Sequence, residues 1–177
     1  DMSIKHAFAL FSSSIIVTST GEHHVFGSNN SGTLGIPSAG TRVKIPTLLK
    51  MPMEEEEDHN KFVPYHYGIG ENHVVLANKN ATSVFTMGNN YNGQTCFLPP
   101  KQGGKNHVTE LTRVHMAKHW FSIIDKEKKY YNVREDFELV LCVGSMDTNF
   151  VFKRRYHTLS YPFKSQMFKT CERKCFV

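Results

Sequence analysis

HVVLANKNATSVFTMGNNYNGQ, residues 73–94, combines two apolar runs with one glycine-rich loop. The runs at 74–77 and 84–87 are short and rich in β-branched side chains, which is typical of strands covered on both faces. Polar residues between them favour a turn, so the two runs predict an antiparallel hairpin. The asparagines that follow Gly88 suit a tight loop, because asparagine bonds to its own backbone and accepts the left-handed region.

The same pattern occurs again on both sides of this stretch. Residues 14–35 read SIIVTSTGEHHVFGSNNSGTLG, which has the same two runs and the same Gly-x-Asn-x-x-Gly loop. A third, degraded copy consists of residues 120–125, a charged insertion at 126–136, and FELVLCVGSMD at 137–147. The marker glycines Gly27, Gly88 and Gly144 lie 61 and then 56 residues apart. Paired short strands at periods of roughly 40–50 residues indicate propeller blades, and the excess length indicates loop insertions.

Further strand candidates lie between and around the hairpins. Residues 43–49 and 108–114 follow the two Gly-x-Asn loops, and 6–11 and 156–163 are weaker candidates. The spacing of apolar residues over 110–121 also allows one short helix. All other segments favour strands and turns.

The loops resemble those of the regulator-of-chromosome-condensation repeats. In that family a Gly-x-x-His opening precedes the first apolar strand, and Trp-Gly-x-Asn-x-x-Gly-Gln-Leu-Gly closes the hairpin. Residues 70–73 match the opening, whereas 84–94 and 25–35 match the closing pattern. Departures are Ser13 and Phe121 at the motif histidine, Phe26 and Met87 at the tryptophan, and the missing second glycine after Gly144.

The resemblance implies an all-β fold, a partial or small β-propeller of about three to four blades. We expect blades around 6–50, 62–114 and 115–152, so that 1–152 forms the repeats and 153–177 a basic strand or tail. Closed propellers have roughly four to eight blades, so this length is at or below the lower limit. Four explanations stay open: a fragment of a larger ring, two chains completing one ring, an unusually small propeller, or an open half-ring covered by a partner.

Composition sets weaker limits on function. The formal net charge is +5 and the sequence pI is about 9.0, which permits contact with acidic surfaces without establishing it. The acidic run at 54–58 favours a solvated loop. Four sparse cysteines indicate a reducing compartment rather than a disulfide framework. No apolar run reaches the ~20 residues of a membrane span, so we expect an intracellular protein, cytoplasmic or nuclear.

Candidate catalytic and metal sites are poorly supported by the sequence. His115 and His119 have helical metal-ligand spacing but lack the accompanying glutamate, and Cys171 and Cys175 lack a second clear pair of zinc ligands. The histidines at 23 and 24 are interpreted as strand residues, and the one at 73 as structural. We therefore predict no enzyme activity, no metal and no cofactor.

Two sets of residues carry the functional prediction. The structural repeat motif consists of Gly27, Asn29, Gly32, Gly35, Gly70, His73, Gly88, Asn90, Gly93, Gln94 and Gly144. The candidate contacts to a partner or to nucleic acid are Lys153, Arg154, Arg155, Lys164, Lys169, Arg173 and Lys174, which alternate with aromatic residues.

Propellers present rigid loops, so the first hypothesis is a non-enzymatic protein-binding scaffold or assembly subunit. Its recognition surfaces would be the insertions 50–62 and 126–136 and the tail, with a protein partner, a homodimer or a larger complex. The family's founding activity implies a second hypothesis, guanine nucleotide exchange on a Ran-type small GTPase with chromatin contact. A nucleic-acid-contacting subunit of a ribonucleoprotein is the third.

Overall fold

The chain forms a stack of antiparallel sheets. The computed structural model describes residues 3–54, 60–79 and 83–114, together with the backbone of five strands further along the chain. Two four-stranded sheets make up the first 114 residues, and each has its strands in sequence order. The predicted all-β, partial propeller fold is confirmed.

The first sheet contains β1 (Ile4–Ala9), β2 (Ser13–Thr18), β3 (His23–Ser28) and β4 (Arg42–Leu48). A tight turn links β2 to β3, where the Gly21 amide donates to the Thr18 carbonyl at 3.0 Å. A longer loop, residues 29–41, separates β3 from β4 and contains a short 3-10 turn, Pro37–Ala39.

The second sheet repeats this plan with β5 (His66–Ile69), β6 (His73–Ala77), β7 (Val84–Asn89) and β8 (His107–Arg113). Its loop between β7 and β8 also carries a 3-10 turn, Pro100–Gln102. Both β3–β4 and β7–β8 shift register by a bulge just before the marker glycine. The two sheets are therefore copies of one structural unit.

The short helix that the sequence allows over 110–121 does not form over 110–113, which belong to β8 and agree with the strand candidate 108–114. The bulge between β7 and β8 interrupts the two-residue alternation of the strand. Val108 and Leu111 are both buried as a result, although they lie three residues apart. That spacing imitates a helix in the sequence.

Five further strands are β9 (Ser122–Ile124), β10 (Tyr130–Asn132), β11 (Phe137–Val143), β12 (Thr148–Arg154) and β13 (Met167–Thr170). β9 pairs with β10, and β11, β12 and β13 form a third antiparallel sheet. The third copy thus differs from the expected hairpin, because β9 pairs inside the 126–136 insertion and β11 pairs with β12. The boundary between repeats and tail at 152 stays a prediction.

The core lies between the first two sheets. Ile15 and Val25 of the first sheet and Val74 and Leu76 of the second are almost fully buried in one cluster. The second sheet is buried on both faces along β6 and β7. In the first sheet β2 alternates between buried and half-buried residues, so only one of its faces is fully covered by described residues.

Candidate functional site

The marker glycines occupy equivalent corners of the two complete sheets. Gly27 pairs with Ser13, and Gly88 pairs with His73. Their φ angles are +111° and +110°, a region that side-chain-bearing residues rarely adopt. Ser13 therefore occupies the position of the motif histidine in the first sheet, as the sequence alignment of the two copies predicts. Gly144, the third marker, lies outside the described residues.

The motif asparagines close the loops that follow these corners. The side-chain amide of Asn29 donates to the carbonyls of Ile36 and Gly40 at 3.0 and 3.1 Å, and its Oδ1 accepts from the Leu34 amide. The buried side chain of Asn90 makes an equivalent set of bonds, to Leu98, Lys105 and Thr95. Both asparagines have all these groups engaged within their own loop, so their role here is structural.

The loop of the first repeat packs directly on the second sheet. A Cβ atom at Gly32 would lie 2.6 Å from the Thr109 Cα, and one at Gly35 would lie 2.6 Å from the Met87 Sδ. The Thr33 hydroxyl also donates to the Asn72 carbonyl at 3.3 Å. These two motif glycines permit contact between repeats. Gly93, the counterpart of Gly32, has its nearest such atom at 3.6 Å, within its own loop.

A polar contact also joins the two sheets. Nδ1 of His23 lies 3.0 Å from the Gly21 carbonyl oxygen, and its Nε2 lies 2.7 Å from the Tyr67 hydroxyl. Because a carbonyl only accepts, Nδ1 holds the proton of the neutral ring and the Tyr67 hydroxyl donates to Nε2. The two rings also stack, with centroids 5.7 Å apart.

Burial determines the titration of this pair. Desolvation lowers the pKa of His23 below its ordinary value of 6.5, and the nearby Lys61 and His24 act in the same direction, although the hydrogen bond to Gly21 opposes them. Burial likewise raises the pKa of Tyr67 to about 12. His23 is a strand residue of β3, as the sequence predicts, and its ring also makes a contact between the two sheets.

One edge of the stacked sheets collects four connecting segments, and we call it the loop edge. It consists of the turns 10–12 and 70–72 and the loops 29–41 and 90–106. The backbone of Phe11 is fixed there, because its amide donates to the Glu71 carbonyl at 3.1 Å. Its side chain is nevertheless 77% exposed, the largest exposure of any large apolar residue in the described part of the chain.

Phe11 borders an open groove between equivalent turns of the two sheets. The groove has a volume of about 410 Å³ and is lined by Ala9, Leu10, Phe11, Ile69, Gly70 and Glu71. Gly70, predicted from the repeat motif, is buried there, and its amide donates to the His73 carbonyl at 2.9 Å. An exposed aromatic side chain on a fixed turn is available for contact with another protein.

The insertion 50–62 is anchored at both ends. Met51 and Phe62 are buried in the core, and Phe62 packs on Phe85 with ring centroids 4.5 Å apart. Met53 and Val63 beside them are 46% and 71% exposed. This segment lies at the edge opposite the loop edge, and its acidic residues 55–58 lie outside the described residues.

Comparisons with solved structures agree with this geometry. The chain is similar to yeast RCC1 (Prp20) in its complex with Kap60, with 16% identity, 84% of this chain and 30% of that chain covered, and a TM-score of 0.58. Human WBSCR16 matches with 12% identity, 85% and 31% coverage and a TM-score of 0.56. Prp20p from Saccharomyces cerevisiae, crystallised in a study of its binding to Gsp1p and histones, matches with 12% identity, 86% and 44% coverage and a TM-score of 0.54.

The fold is that of the regulator-of-chromosome-condensation repeats. The likeness concerns the fold alone, since the identities are low, and the chain spans between 30% and 44% of the length of these chains. No protein-family model matches the sequence, and no curated protein sequence is similar to it.

The second blade keeps the shape of the motif with altered residues. His73 is fully buried. The Gln94 side chain is 5% exposed, and its Oε1 accepts from the Asn92 amide at 2.9 Å. Cys96 stands where the first blade has Gly35, and it keeps a positive φ of +62°. The blade therefore tolerates a side chain where the family motif has glycine.

The side chains of Lys153, Arg154, Arg155, Lys164, Lys169, Arg173 and Lys174 lie outside the described residues. So do the candidate metal ligands His115, His119, His157, Cys171 and Cys175. Within residues 3–54, 60–79 and 83–114, no three His, Cys, Asp or Glu side chains lie close enough to share a metal ion. No helix in the described part is long and apolar enough to cross a membrane.

Sequence reasoning missed Phe11 and Tyr67. Phe11 lies in the weak strand candidate 6–11, although the three serines between it and the next apolar run are typical of a turn. Tyr67 lies in β5, a strand that precedes the Gly70 motif and was not predicted. This strand has only four residues and is followed by Gly70, Glu71 and Asn72, so its sequence has no clear apolar run.

Proposed function

We propose that this chain is a non-enzymatic protein-binding scaffold and that a protein partner binds at the loop edge. The observation that carries the proposal is the exposed Phe11 side chain on a backbone fixed to the neighbouring turn. Burying a large aromatic side chain on a preorganised turn contributes binding energy with little ordering of the chain. An intracellular location, nuclear or cytoplasmic, accompanies this proposal.

The geometry of the loop edge favours a macromolecule over a small ligand. The groove beside Phe11 is open, and its walls are short turns of two different sheets. Small-molecule sites are typically enclosed on most sides. Glu71 also lines this groove.

The proposal can be tested with the known binding partners of proteins that have the same fold. Prp20p is described by its binding to Gsp1p and histones, and yeast RCC1 by its complex with Kap60. We expect the full chain to bind at least one of Gsp1p, histones and Kap60 in calorimetry. Phe11→Ala should weaken that binding roughly tenfold or more, as for a central aromatic contact.

Tyr65→Ala is the matched control, because Tyr65 is a 59% exposed aromatic residue at the opposite edge. It should leave the affinity unchanged. Equal weakening by both variants, or an affinity unaffected by Phe11→Ala, would place the binding surface elsewhere. Failure of all three proteins to bind would contradict the proposed partner class.

A second candidate function is guanine nucleotide exchange on a Ran-type GTPase, supported by the similarity of fold to Prp20. Release of a fluorescent GDP analogue from the GTPase would be followed with and without this chain. Acceleration that Phe11→Ala abolishes would support exchange. Binding to the GTPase without faster GDP release would contradict exchange activity and would agree with the scaffold function.

Nucleic-acid contact through the basic segment is the third candidate. Its support is the sequence, where Lys153, Arg154 and Arg155 stand beside aromatic residues. Phosphate contacts make affinity fall steeply with salt. RNA binding that is absent, or that does not change with salt, would contradict it.

A further inference from the structure

The first sheet has an open groove at its edge strand β4. The groove has a volume of about 380 Å³ and is lined by Phe26, Gly27, Arg42, Val43 and Lys44. Phe26 is half-buried and packs against the core cluster, so its ring is a fixed wall of the groove. Arg42 and Lys44 are exposed, and they lie on one face of β4 because they are two residues apart. The groove therefore combines an aromatic wall with two cationic side chains.

Strand register identifies the equivalent residues of the second sheet. Aligning the two marker glycines and the strands that pair with them gives three equivalent pairs, which are Arg42 and His107, Lys44 and Thr109, and Phe26 and Met87. In the second sheet the loop of the preceding repeat fills this position, with Gly32 and Gly35 against Thr109 and Met87. Neither of those two receiving side chains is charged. Lys44 thus places a charge where the second sheet has a neutral side chain against a glycine loop.

The sheet face beside the groove is also more polar than its counterpart. The same register aligns Ser14 with Val74 and His24 with Phe85. Val74 and Phe85 are buried, whereas Ser14 and His24 are half-buried. Two sheets that stack face to face need apolar side chains between them. These differences therefore favour an occupant more polar than another sheet of the same kind.

Charge identifies the chemistry of that occupant. Within residues 3–54, 60–79 and 83–114, no carboxylate forms an ion pair with Arg42 or Lys44. Glu22 precedes β3 at the end away from Arg42, and its Oε2 lies 3.8 Å from the His24 Nε2. Leu48, further along the same face, is 54% exposed. Carboxylates and an apolar side chain would together complement this surface.

We infer that the groove binds an acidic segment of a protein partner in an extended conformation. Carboxylates two residues apart in such a segment lie about 7 Å apart, the spacing of Arg42 and Lys44 along β4. Each carboxylate pairs with one of these side chains, and an apolar side chain of the segment contacts Phe26. This surface differs from the loop edge in position and in chemistry, so the inference goes beyond the proposed function and does not depend on Phe11.

Fluorescence anisotropy with a short labelled peptide of alternating glutamate and leucine tests the inference on the full chain. We expect the peptide to bind, with an affinity that decreases as salt is added, because exposed ion pairs are screened. A peptide with glutamine in place of glutamate should bind roughly tenfold more weakly or less. A peptide with serine in place of leucine should also bind more weakly, since it lacks the apolar contact.

Arg42→Glu and Lys44→Glu should each weaken binding of the glutamate peptide roughly tenfold or more, because each replaces an attraction with a repulsion. Both residues are exposed, so thermal melting should show that the variants fold as the natural chain does. Lys79→Glu is the matched control, since it reverses the same charge at an exposed lysine just after β6 of the second sheet. It should leave the affinity unchanged.

Failure of the glutamate peptide to bind would overturn the inference, and equal weakening by Lys79→Glu would show general attraction to a basic protein instead. Single-stranded RNA that binds more tightly than the peptide and is lost in Lys44→Glu would identify a nucleic-acid site and also overturn it. So would a dimer in sedimentation velocity that Lys44→Glu dissociates, because a second copy would then occupy the groove. Phe11→Ala should leave peptide binding unchanged, which separates this surface from the loop edge.

Discussion

Alanine at Gly88 tests the equivalence of the blade corners most directly. A Cβ atom there would overlap two backbone atoms, the Asn72 carbonyl oxygen and the His73 Cα, the latter at 2.7 Å. Neither atom can move without displacing the turn before β6. Gly21 provides the matched control, since its φ of +84° is also positive but a Cβ would meet nothing within 4 Å. The two substitutions share the conformational penalty and differ in the overlap.

The expected magnitudes follow from these two terms. A side chain in the left-handed region is destabilising by about 1–2 kcal/mol, and alanine at Gly21 should therefore destabilise by about 1–2 kcal/mol. Overfilling a packed site adds about 1–3 kcal/mol, so Gly88→Ala should destabilise by about 2–5 kcal/mol. For a chain of this size, each kcal/mol lowers the melting temperature by about 2–4 °C.

Urea unfolding followed by circular dichroism measures both variants. Equal m-values would show that the difference lies in stability rather than in the extent of unfolding. Gly27→Ala should resemble Gly88→Ala, because its Cβ would lie 2.5 Å from the Ser12 carbonyl oxygen. The reasoning is refuted if Gly88→Ala is no more destabilising than Gly21→Ala.

Three further outcomes are expected. Because burial lowers the pKa of His23, its stabilising contribution is complete above pH 6.5 and is lost as the pH falls below that value, since the unfolded chain takes up the proton first. A His23→Gln variant should flatten this dependence in pH-resolved thermal melts, whereas Tyr67→Phe should reduce stability by about 1 kcal/mol at neutral pH. Asn29→Ala should lower the unfolding free energy by about 2–4 kcal/mol through its lost loop bonds, and the exposed Asn30→Ala by less than about 0.5 kcal/mol; similar values from denaturant titration would contradict the loop-closing role. Phe62→Ala should destabilise by about 3–5 kcal/mol, and a negligible change in urea midpoint would show that the 50–62 insertion is not anchored by it.

The hairpins of the first two repeats were predictable because short-range physics determines them. The apolar runs at 14–17 and 73–77 became β2 and β6 almost to the residue. The turn at Gly21 and the loops after Gly27 and Gly88 depend on backbone conformations that few residue types adopt. These preferences are local, so they appear in the sequence.

The third repeat shows the limit of such reasoning. Strand 122–124 pairs with 130–132, which is closer along the sequence than the predicted partner 137–143. Strand pairing depends on which segment closes the shorter loop and on what lies beside it. Apolar patterning identifies the strands but not their partners.

The amino-acid sequence determined the repeat, the corner glycines, the loop-closing asparagines and hence the type of blade, because each depends on neighbours within about 15 residues. Only the tertiary structure decided that the Gly32 loop packs on Thr109, that His23 meets Tyr67 across 44 residues, and that Phe11 stays exposed while the equivalent Glu71 is half-buried. Burial and contact between sheets depend on how two complete units stack. The packing of both surfaces sets that arrangement, so the sequence of one hairpin cannot predict it.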